Sequence, residues 1–395
     1  MNILNYIGFT NYYDNIEIDE NERYCNYSSQ NYDNVSITYT TQEKSYRDIS
    51  EDQEFGLVGL RNYKNVCYMN TILQCLKNIH PLVDFFINQY KNGPGEISNN
   101  FQCILSKLLY KKSNTSANSL KLSMEKYDDY FKGIEFKDSF NFYVSLLSML
   151  HKELNKNQIN KNYNINSYNK TSEDNFLKKQ KEFFTKNNSI IISIFYGFQK
   201  NIFFCHNCNI KREKFQAFNF LDFSIKNGEL KIKDLEDCFK TYQREEKLEI
   251  ECENCKKSKL NVKYEILSLP KVLVITFKKG DHIKHKVKFP EKLDMSQIIE
   301  NKEEKNKQYN LIGFINHQEE KSNNVNNSHN YCITKNMFNN KWYLFSDITI
   351  YEIDKFQQFL DDTILLVYQL SGIEMPPDCL NKLKNTIQNY NESNK

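Results

Sequence analysis

The chain has 395 residues, enough for one large or two ordinary domains around a substantial core. Its net charge of +3 is small for that length, so nothing in the charge balance indicates a nucleic-acid partner. No run of residues approaches about eighteen consecutive apolar positions, and the first residues lack a basic start followed by an apolar stretch. We therefore expect neither a membrane span nor a secretory signal.

Residues 1–55 are rich in Asn, Tyr, Asp, Glu and Ser and show no sustained period, which predicts an extended or disordered N-terminal extension.

From Tyr68 to Ile79 the apolar residues recur at the spacing of one helix face, with Asn65 as the predicted N-cap. Cys67 then lies at a helix N-terminus, where unpaired N–H groups and the helix dipole favour a thiolate. A buried core cysteine is the alternative interpretation.

A second helical pattern covers Phe136–Leu154, and the Asn- and Lys-rich stretch Asn155–Asn188 predicts a loop or insertion. From Ser189 onward, short alternating or apolar runs predict strands of a mostly antiparallel sheet, interrupted by an Asn-rich loop at Gln318–Ser328. The runs are IIISIFYGF, KYEILSLP, KVLVITF, YNLIGFIN, KWYLFSD and TILLVYQL. Helices first and strands afterwards indicate an α+β architecture with two lobes, followed by a polar tail with a helical pattern at Leu380–Tyr390.

Two CxxC pairs, Cys205 with Cys208 and Cys252 with Cys255, have the ligand number and local spacing of a tetrahedral four-cysteine zinc site. The 43 residues between the pairs are too many for a compact zinc ribbon, so each pair is expected at the tip of a hairpin. Four thiolates leave no open position, which predicts a structural metal; four free thiols are the alternative. Eleven cysteines, an odd number, favour a reducing compartment, and hence the cytoplasm or nucleus.

A cysteine nucleophile needs a general base and a third group that orients the base. Among seven histidines, His317 and His329 flank the Asn-rich loop beside predicted strands, although any single histidine is more often structural. The spacing of the histidines alone does not choose between them.

The run Gly59–Leu76, GLRNYKNVCYMNTILQCL, resembles the cysteine box GLxNLGNTCYMNSxLQxL of the ubiquitin-specific proteases. The chain departs from that pattern at four positions: Tyr63, Lys64, Val66 and Thr71. The resemblance implies a papain-like cysteine protease fold over residues 56–370, with a helical thumb (about 56–185) and a β-rich palm and zinc-tied fingers (about 186–370), leaving 371–395 as a C-terminal tail. It also implies that Cys67 is the nucleophile and Asn62 an oxyanion donor.

The segments YNLIGFINH, SHNYCITKN and KWYLFSDITI resemble the histidine box of the same family. Aligned without gaps, His329 falls on the catalytic base. Aligned on Tyr331 instead, Asn330 falls there, and an amide cannot act as a base. Ser346 stands where the family has Asp or Asn, and Asp347 matches the acidic residue that follows, so either could orient the imidazole.

FKDSFNFYVSLLSMLH resembles the family helix QQDAxEFLxxLLxxLH, of whose acidic pair only Asp138 is present, which implies a substrate-binding role for Asp138. The resemblance implies a monomeric deubiquitinase that cleaves after the C-terminal glycine of ubiquitin, with ubiquitin or ubiquitinated proteins as partners. Three alternatives remain: an inactive ubiquitin-binding scaffold, a protease for another ubiquitin-like modifier, and a zinc-dependent interaction module without protease ancestry. Linkage preference is not encoded in any of these motifs.

Overall fold

The computed structural model describes residues 46–48, 55–63, 65–110, 113–156, 172–225, 234–279, 287–299, 304, 306–322 and 325–393. Most of the predicted N-terminal extension therefore lies outside the described residues. Those from 46 onward belong to one compact unit that spans Ser45–Lys395. No helix among the described residues is both long and apolar enough to cross a membrane.

The first part of this unit is helical and buries helix α1, Cys67–Leu76, at its centre. All ten α1 residues are buried, so the helix is enclosed on every side and not only on its predicted apolar face. Helix α1 packs against helix α5, Ser139–Leu154, and against a strand of the main sheet. The other helices of this part are α2 (His80–Asp84, continued by a π-helical turn Phe85–Gln89), α3 (Glu96–Tyr110), α4 (Asn118–Tyr127), α5 (Ser139–Leu154), α6 (Ser172–Lys186) and α7 (Ile190–Phe195).

Two sequence predictions in this part are wrong. Asn155–Asn188 is not entirely a loop, because α6 occupies its second half and packs Phe176 and Phe183 against Phe198, with ring centroids 6.0 and 5.2 Å apart. Ile190–Phe195 is helix α7 and not a strand. The Ser189 hydroxyl caps this helix by accepting from Ile192 N–H, and this local cap outweighs the strand preference of the isoleucine run.

The main sheet confirms the predicted, mostly antiparallel arrangement. Its strands are β1 (Tyr46–Asp48), β4 (Leu221–Ile225), β7 (Val272–Lys279), β8 (Lys292–Asp294), β9 (Gln308–Ser322), β10 (Val325–Lys335), β11 (Trp342–Ser346), β12 (Thr349–Ile353) and β13 (Thr363–Leu370). Their order in the sheet is β1-β12-β11-β10-β9-β13-β7-β4, with β8 paired beside β9. The pairing of β4 with β7 is parallel.

The Asn-rich stretch Gln318–Ser328 differs from the predicted loop. Strands β9 and β10 continue into it and remain paired out to Ser322 and Val325. Because the backbone groups of both strands bond to each other, the polar composition does not prevent a long hairpin. Helix α8, Leu235–Tyr242, covers one side of the main sheet, and helix α9, Pro377–Ser393, forms most of the predicted tail.

A second, four-stranded sheet forms the predicted fingers, in the order β3-β2-β6-β5. Its strands are β2 (Gly197–Cys205), β3 (Ile210–Phe218), β5 (Glu246–Glu251) and β6 (Ser258–Ser268). The β2/β3 and β5/β6 connections are short hairpins, and each carries one of the two CxxC pairs. The predicted α+β fold, with helices before strands and a β-rich finger region, is confirmed.

Candidate active site

Helix α1 begins at Cys67, with Val66 as its N-cap and without a capping side chain. The predicted N-cap Asn65 is wrong, because this residue has a left-handed backbone (φ 56°) and its amide donates to Ile134 O at 2.9 Å. Asn62 closes the turn instead: its Oδ1 accepts from Val66 N–H at 2.8 Å. The sequence therefore places the cysteine correctly at the helix start but assigns the cap to the wrong residue.

The environment of the Cys67 thiol differs from the sequence expectation. Burial, with 2% of the residue exposed, and then the negative charge of Asp347 raise the pKa of Cys67 to about 12. Backbone N–H groups of Asn330, Tyr68 and Cys67 itself lower it by less. The helix N-terminus thus acts in the predicted direction but is outweighed, so the thiol keeps its proton until a base removes it.

His329, on β10, lies against the end of β11. Its Nε2 is 2.9 Å from Ser346 Oγ and 4.0 Å from Asp347 Oδ2. The structure therefore brings together the three residues that the sequence proposed as base and orienting groups. Both partners are on the Nε2 side of the imidazole, so Nδ1 is on the opposite side of the ring.

Asn330, the rival of His329 in the alignment, has other partners. Its Nδ2 donates to Ser139 Oγ at 2.7 Å, and its Oδ1 lies 2.7 Å from Nδ1 of His317, which faces it across the β9/β10 pair. Asn330 is 1% exposed; its bond to Ser139 is buried and its bond to His317 is partly buried. Successive residues of a strand point to opposite faces. In this register, His329 is the residue that reaches Ser346.

Asp347 is held at the centre of the site by two amides. Asn62 Nδ2 donates to its Oδ2 and Asn70 Nδ2 to its Oδ1, each at 2.9 Å. Burial raises the pKa of Asp347, while His329 and the two amide donors oppose that rise. No role was predicted for Asn70 from the sequence, although its position three residues after Cys67, on the same helix face, was a usable signal.

Gly59, the first residue of the cysteine box, allows two segments to approach each other closely. A Cβ at this position would lie 2.6 Å from both Cα and O of Ile348, closer than atoms can pack. Leu60 N–H donates to Asp347 O at 2.9 Å in the same region. The glycine therefore lets the segment before α1, residues 58–62 (the strap), lie against the turn that carries Asp347.

Asp138 is the N-cap of α5, and its Oδ1 accepts from Asn141 N–H at 2.8 Å. The residue is exposed, and its neighbour Ser139 is the partner of Asn330, so Asp138 lies at the rim of the site. Capping is a structural role that was not predicted from the sequence. Its substrate-binding role remains a prediction.

The four predicted metal ligands meet at the tip of the fingers. Sulfur atoms of Cys205, Cys208, Cys252 and Cys255 all lie within 4.8 Å of one another, with Cys205–Cys255 at 3.6 Å and Cys208–Cys252 at 3.8 Å. Tetrahedral zinc with bonds of about 2.3 Å places its sulfurs roughly 3.8 Å apart. The arrangement could therefore hold a metal ion of this kind, as the spacing predicted.

The turns that carry the two CxxC pairs, called knuckles, also share a backbone feature. The residue after the second cysteine of each pair has a left-handed conformation, with φ 53° at Asn209 and 59° at Lys256. This turn folds each CxxC back so that both sulfurs face the same side.

Comparisons with known proteins match most of the chain to one family. A family model described as "Ubiquitin carboxyl-terminal hydrolase" matches residues 58–368. The chain is 26% identical over 365 residues to human ubiquitin carboxyl-terminal hydrolase 21, covering 82% of this chain and 63% of the relative. It is 24% identical over 341 residues to human ubiquitin carboxyl-terminal hydrolase 2, covering 80% of this chain and 56% of the relative. The chain thus spans about three fifths of the length of these relatives.

Among solved structures, the chain is similar to one described as the SAGA Ubp8/Sgf11/Sus1/Sgf73 DUB module bound to ubiquitin aldehyde. The TM-score is 0.59 and the sequence identity 19%, with 85% of this chain and 72% of the other covered. At that identity the likeness establishes the fold.

Proposed function

The chain belongs to the ubiquitin carboxyl-terminal hydrolase family, and from this premise we propose that it is a thiol hydrolase that cleaves the peptide or isopeptide bond after the C-terminal glycine of ubiquitin. The observation that carries the proposal is the contact of His329 Nε2 with Ser346 Oγ at 2.9 Å, beside the helix that begins with Cys67. It supplies the base and orienting group that a protonated thiol requires.

In the proposed reaction, Nδ1 of His329 takes the proton of Cys67 as the sulfur attacks the carbonyl carbon of the glycine. The imidazolium then gives this proton to the leaving amine as the C–N bond breaks, which leaves a thioester on Cys67. Water, deprotonated by the same imidazole, releases the carboxylate and restores the thiol. Because the pKa of Cys67 is raised to about 12, base and nucleophile must act together during attack.

The oxyanion of the tetrahedral intermediate has donors at the start of α1. Asn62 uses one N–H of its amide for Asp347, and an amide carries two. The second N–H and the backbone N–H of Cys67 are the proposed oxyanion donors. Ser346 fixes the imidazole ring by a hydrogen bond, and the nearby carboxylate of Asp347 stabilises the imidazolium.

We also propose that the four-cysteine cluster binds zinc. Cys205, Cys208, Cys252 and Cys255 would hold it as thiolates, which leaves no ligand position for chemistry. The ion would tie the β2/β3 and β5/β6 hairpins together at the point where the fingers have only a small apolar cluster of their own.

Ubiquitin as the substrate is supported by the names of the relatives and by the ubiquitin aldehyde bound to the structural neighbour. A protease for another ubiquitin-like modifier is the second candidate, favoured by Asn141 and Lys137 at positions where the family pattern has Glu and Gln.

Residues 56–370 would act as a monomeric catalytic domain. The free cysteines of the described region support the cytoplasm or nucleus as its location.

The test is labelling of the full chain by ubiquitin with a C-terminal electrophile, in parallel with probes built on other modifiers. Wild type should form a covalent adduct with the ubiquitin probe, whereas Cys67→Ala and His329→Ala should not. Adduct formation by Cys67→Ala would refute the nucleophile, and adduct formation by His329→Ala the base. Ubiquitin binding without an adduct in wild type would identify the inactive scaffold.

A further inference from the structure

Asn70 connects the helix of the nucleophile to the carboxylate near the imidazole. It lies one helical turn after Cys67, and its Nδ2 donates to Asp347 Oδ1 at 2.9 Å. The other carboxylate oxygen accepts from Asn62, also at 2.9 Å. Each oxygen of Asp347 thus has its own amide donor, one from the helix and one from the loop before it.

The stability of α1 does not explain an asparagine at this position. Asn70 is 2% exposed, and its Oδ1 has no hydrogen-bond partner among the residues that the structure describes. A buried polar atom without a partner is unfavourable, and asparagine is a poor residue for a helix interior. The position is therefore better explained by what the Nδ2 group does than by helix formation.

Gln74, one turn further along the same helix, gives a direct comparison. It is also 2% exposed, and its Oε1 also has no partner among the described residues. Its Nε2 donates to the backbone oxygen of Val58 at 2.9 Å, so it holds the strap before α1. Asn70 Nδ2 also contacts this segment, at 3.4 Å from Leu60 O and 3.5 Å from Arg61 O. The two amides therefore share burial, chemistry and contact with the strap, and they differ in that Asn70 also donates to a carboxylate of the site.

We propose that Asn70 is a positioning residue that holds the Asp347 carboxylate toward His329. The helix that begins with Cys67 and the negative charge that faces the imidazole are then held in a fixed position relative to each other. The proposal rests on the proposed function of the same site. Asp347 Oδ2 is 4.0 Å from His329 Nε2, close enough for its charge to act on the imidazolium. Asp347 has a left-handed backbone (φ 52°), which the surrounding contacts must maintain.

Loss of the Asn70 donor has a predictable direction. The Asn70 amide donates to the ionised carboxylate and thereby lowers the pKa of Asp347, so its removal should raise this pKa. A carboxylate that is protonated or turned away no longer stabilises the imidazolium. The pKa of His329 should then fall, and fewer molecules would hold the proton that the leaving amine needs.

The experiment compares Asn70→Leu with Gln74→Leu in the full chain, with Asn70→Ala as a second variant that adds no bulk. The imidazole titration of His329 is followed by NMR, and its signal is assigned by its loss in His329→Gln. Hydrolysis of ubiquitin carrying a C-terminal fluorogenic amide gives kcat and KM, and thermal unfolding gives the Tm of each variant.

Both Asn70 variants should lower the His329 pKa by about half a unit or more and lower kcat about tenfold, with KM nearly unchanged because the side chain is buried. Gln74→Leu should leave the His329 titration unchanged, whatever it does to Tm. Equal effects of the Asn70 and Gln74 variants, or an unshifted His329 in folded Asn70→Ala, would overturn the proposal. If wild type hydrolyses no ubiquitin substrate, the proposed function fails, but the His329 titration still decides the role of Asn70.

Discussion

The fingers and the candidate active site around Cys67, His329 and Asp347 (the cleft) surround their cysteines differently. In the fingers, backbone N–H groups of the CxxC turns lower the pKa of Cys252 and Cys255, the latter to about 6, whereas burial and the neighbouring thiols of Cys208 and Cys255 raise the pKa of Cys205 to about 11. In the cleft, burial and Asp347 raise the pKa of Cys67 to about 12. Two of the four proposed metal ligands thus have thiolates favoured by their neighbours in sequence, whereas the proposed nucleophile depends on a base from a strand more than 250 residues away.

This contrast separates two kinds of site. A knuckle can be formed by a dozen consecutive residues, and the fold only has to bring two knuckles together. The cleft has no such local unit, because Asn62 and Cys67 come from one segment, His329 and Asp347 come from strands far along the chain, and the four residues act only in combination. Changes in the cleft should therefore affect catalysis more than stability, and changes in the knuckles should do the reverse.

The largest expected effect tests the strand register at the cleft. His329→Ala should lower kcat by about 10²–10⁴-fold, because it removes the general base. Asn330→Ala should lower kcat by less than about tenfold but destabilise the fold by about 1–3 kcal/mol, because Ser139 and His317 lose a buried partner. Steady-state kinetics and urea unfolding measure both. A larger kinetic loss in Asn330→Ala than in His329→Ala would contradict the register.

The second prediction concerns a substitution that should remove the metal from the fingers without changing the cleft. Cys252→Ser should reduce bound zinc from about one ion per chain to none and lower the Tm, since four thiolates are needed to close the site. Atomic spectroscopy and calorimetry measure the two changes. Cys103→Ser, an exposed cysteine outside the cluster, is the matched control and should keep the metal. Full zinc content in Cys252→Ser would show that the cluster is not the metal site.

A smaller effect concerns Ser346, which stands where the family pattern has Asp or Asn. Ser346→Ala should lower kcat about tenfold, because a hydrogen bond to the imidazolium is lost. Ser346→Asn should restore most of the activity, since its amide oxygen can accept from the same Nε2. Kinetics at a single pH decide this. If Ser346→Ala keeps wild-type kcat, Asp347 alone orients the base.

The smallest expected effect has opposite signs for reactivity and turnover. Asp347→Asn removes the negative charge that raises the pKa of Cys67, so this pKa should fall and iodoacetamide should alkylate Cys67 a few times faster at pH 8. Turnover should nevertheless fall, because the imidazolium loses its counter-charge. Asp138→Asn, at the exposed N-cap of α5, is the control and should leave the alkylation rate unchanged. Slower alkylation in Asp347→Asn would contradict the assigned sign.

Much of the fold could be predicted because its signals are local. The apolar period of α1 and α5, the alternating strands after Ser189 and the two CxxC pairs each lie within about twenty residues. The failures also have local causes. Asn and Lys content concealed α6, whose Phe176 and Phe183 were the available signal, and the isoleucines of α7 concealed the cap supplied by Ser189.

The sequence by itself determined that Cys67 lies at a helix start, that two CxxC pairs are available as metal ligands and that the fold is α+β, because each of these follows from spacing within short segments. Only the tertiary structure decided three features of the cleft: the partner of His329, the hydrogen bonds of Asn330 to Ser139 and His317, and the hydrogen bond from Asn70 to Asp347. A strand pattern with a period of two reads equally well in two registers. Contacts between β10, β11 and α1 select one of them, since only one register pairs both the imidazole and the buried amide.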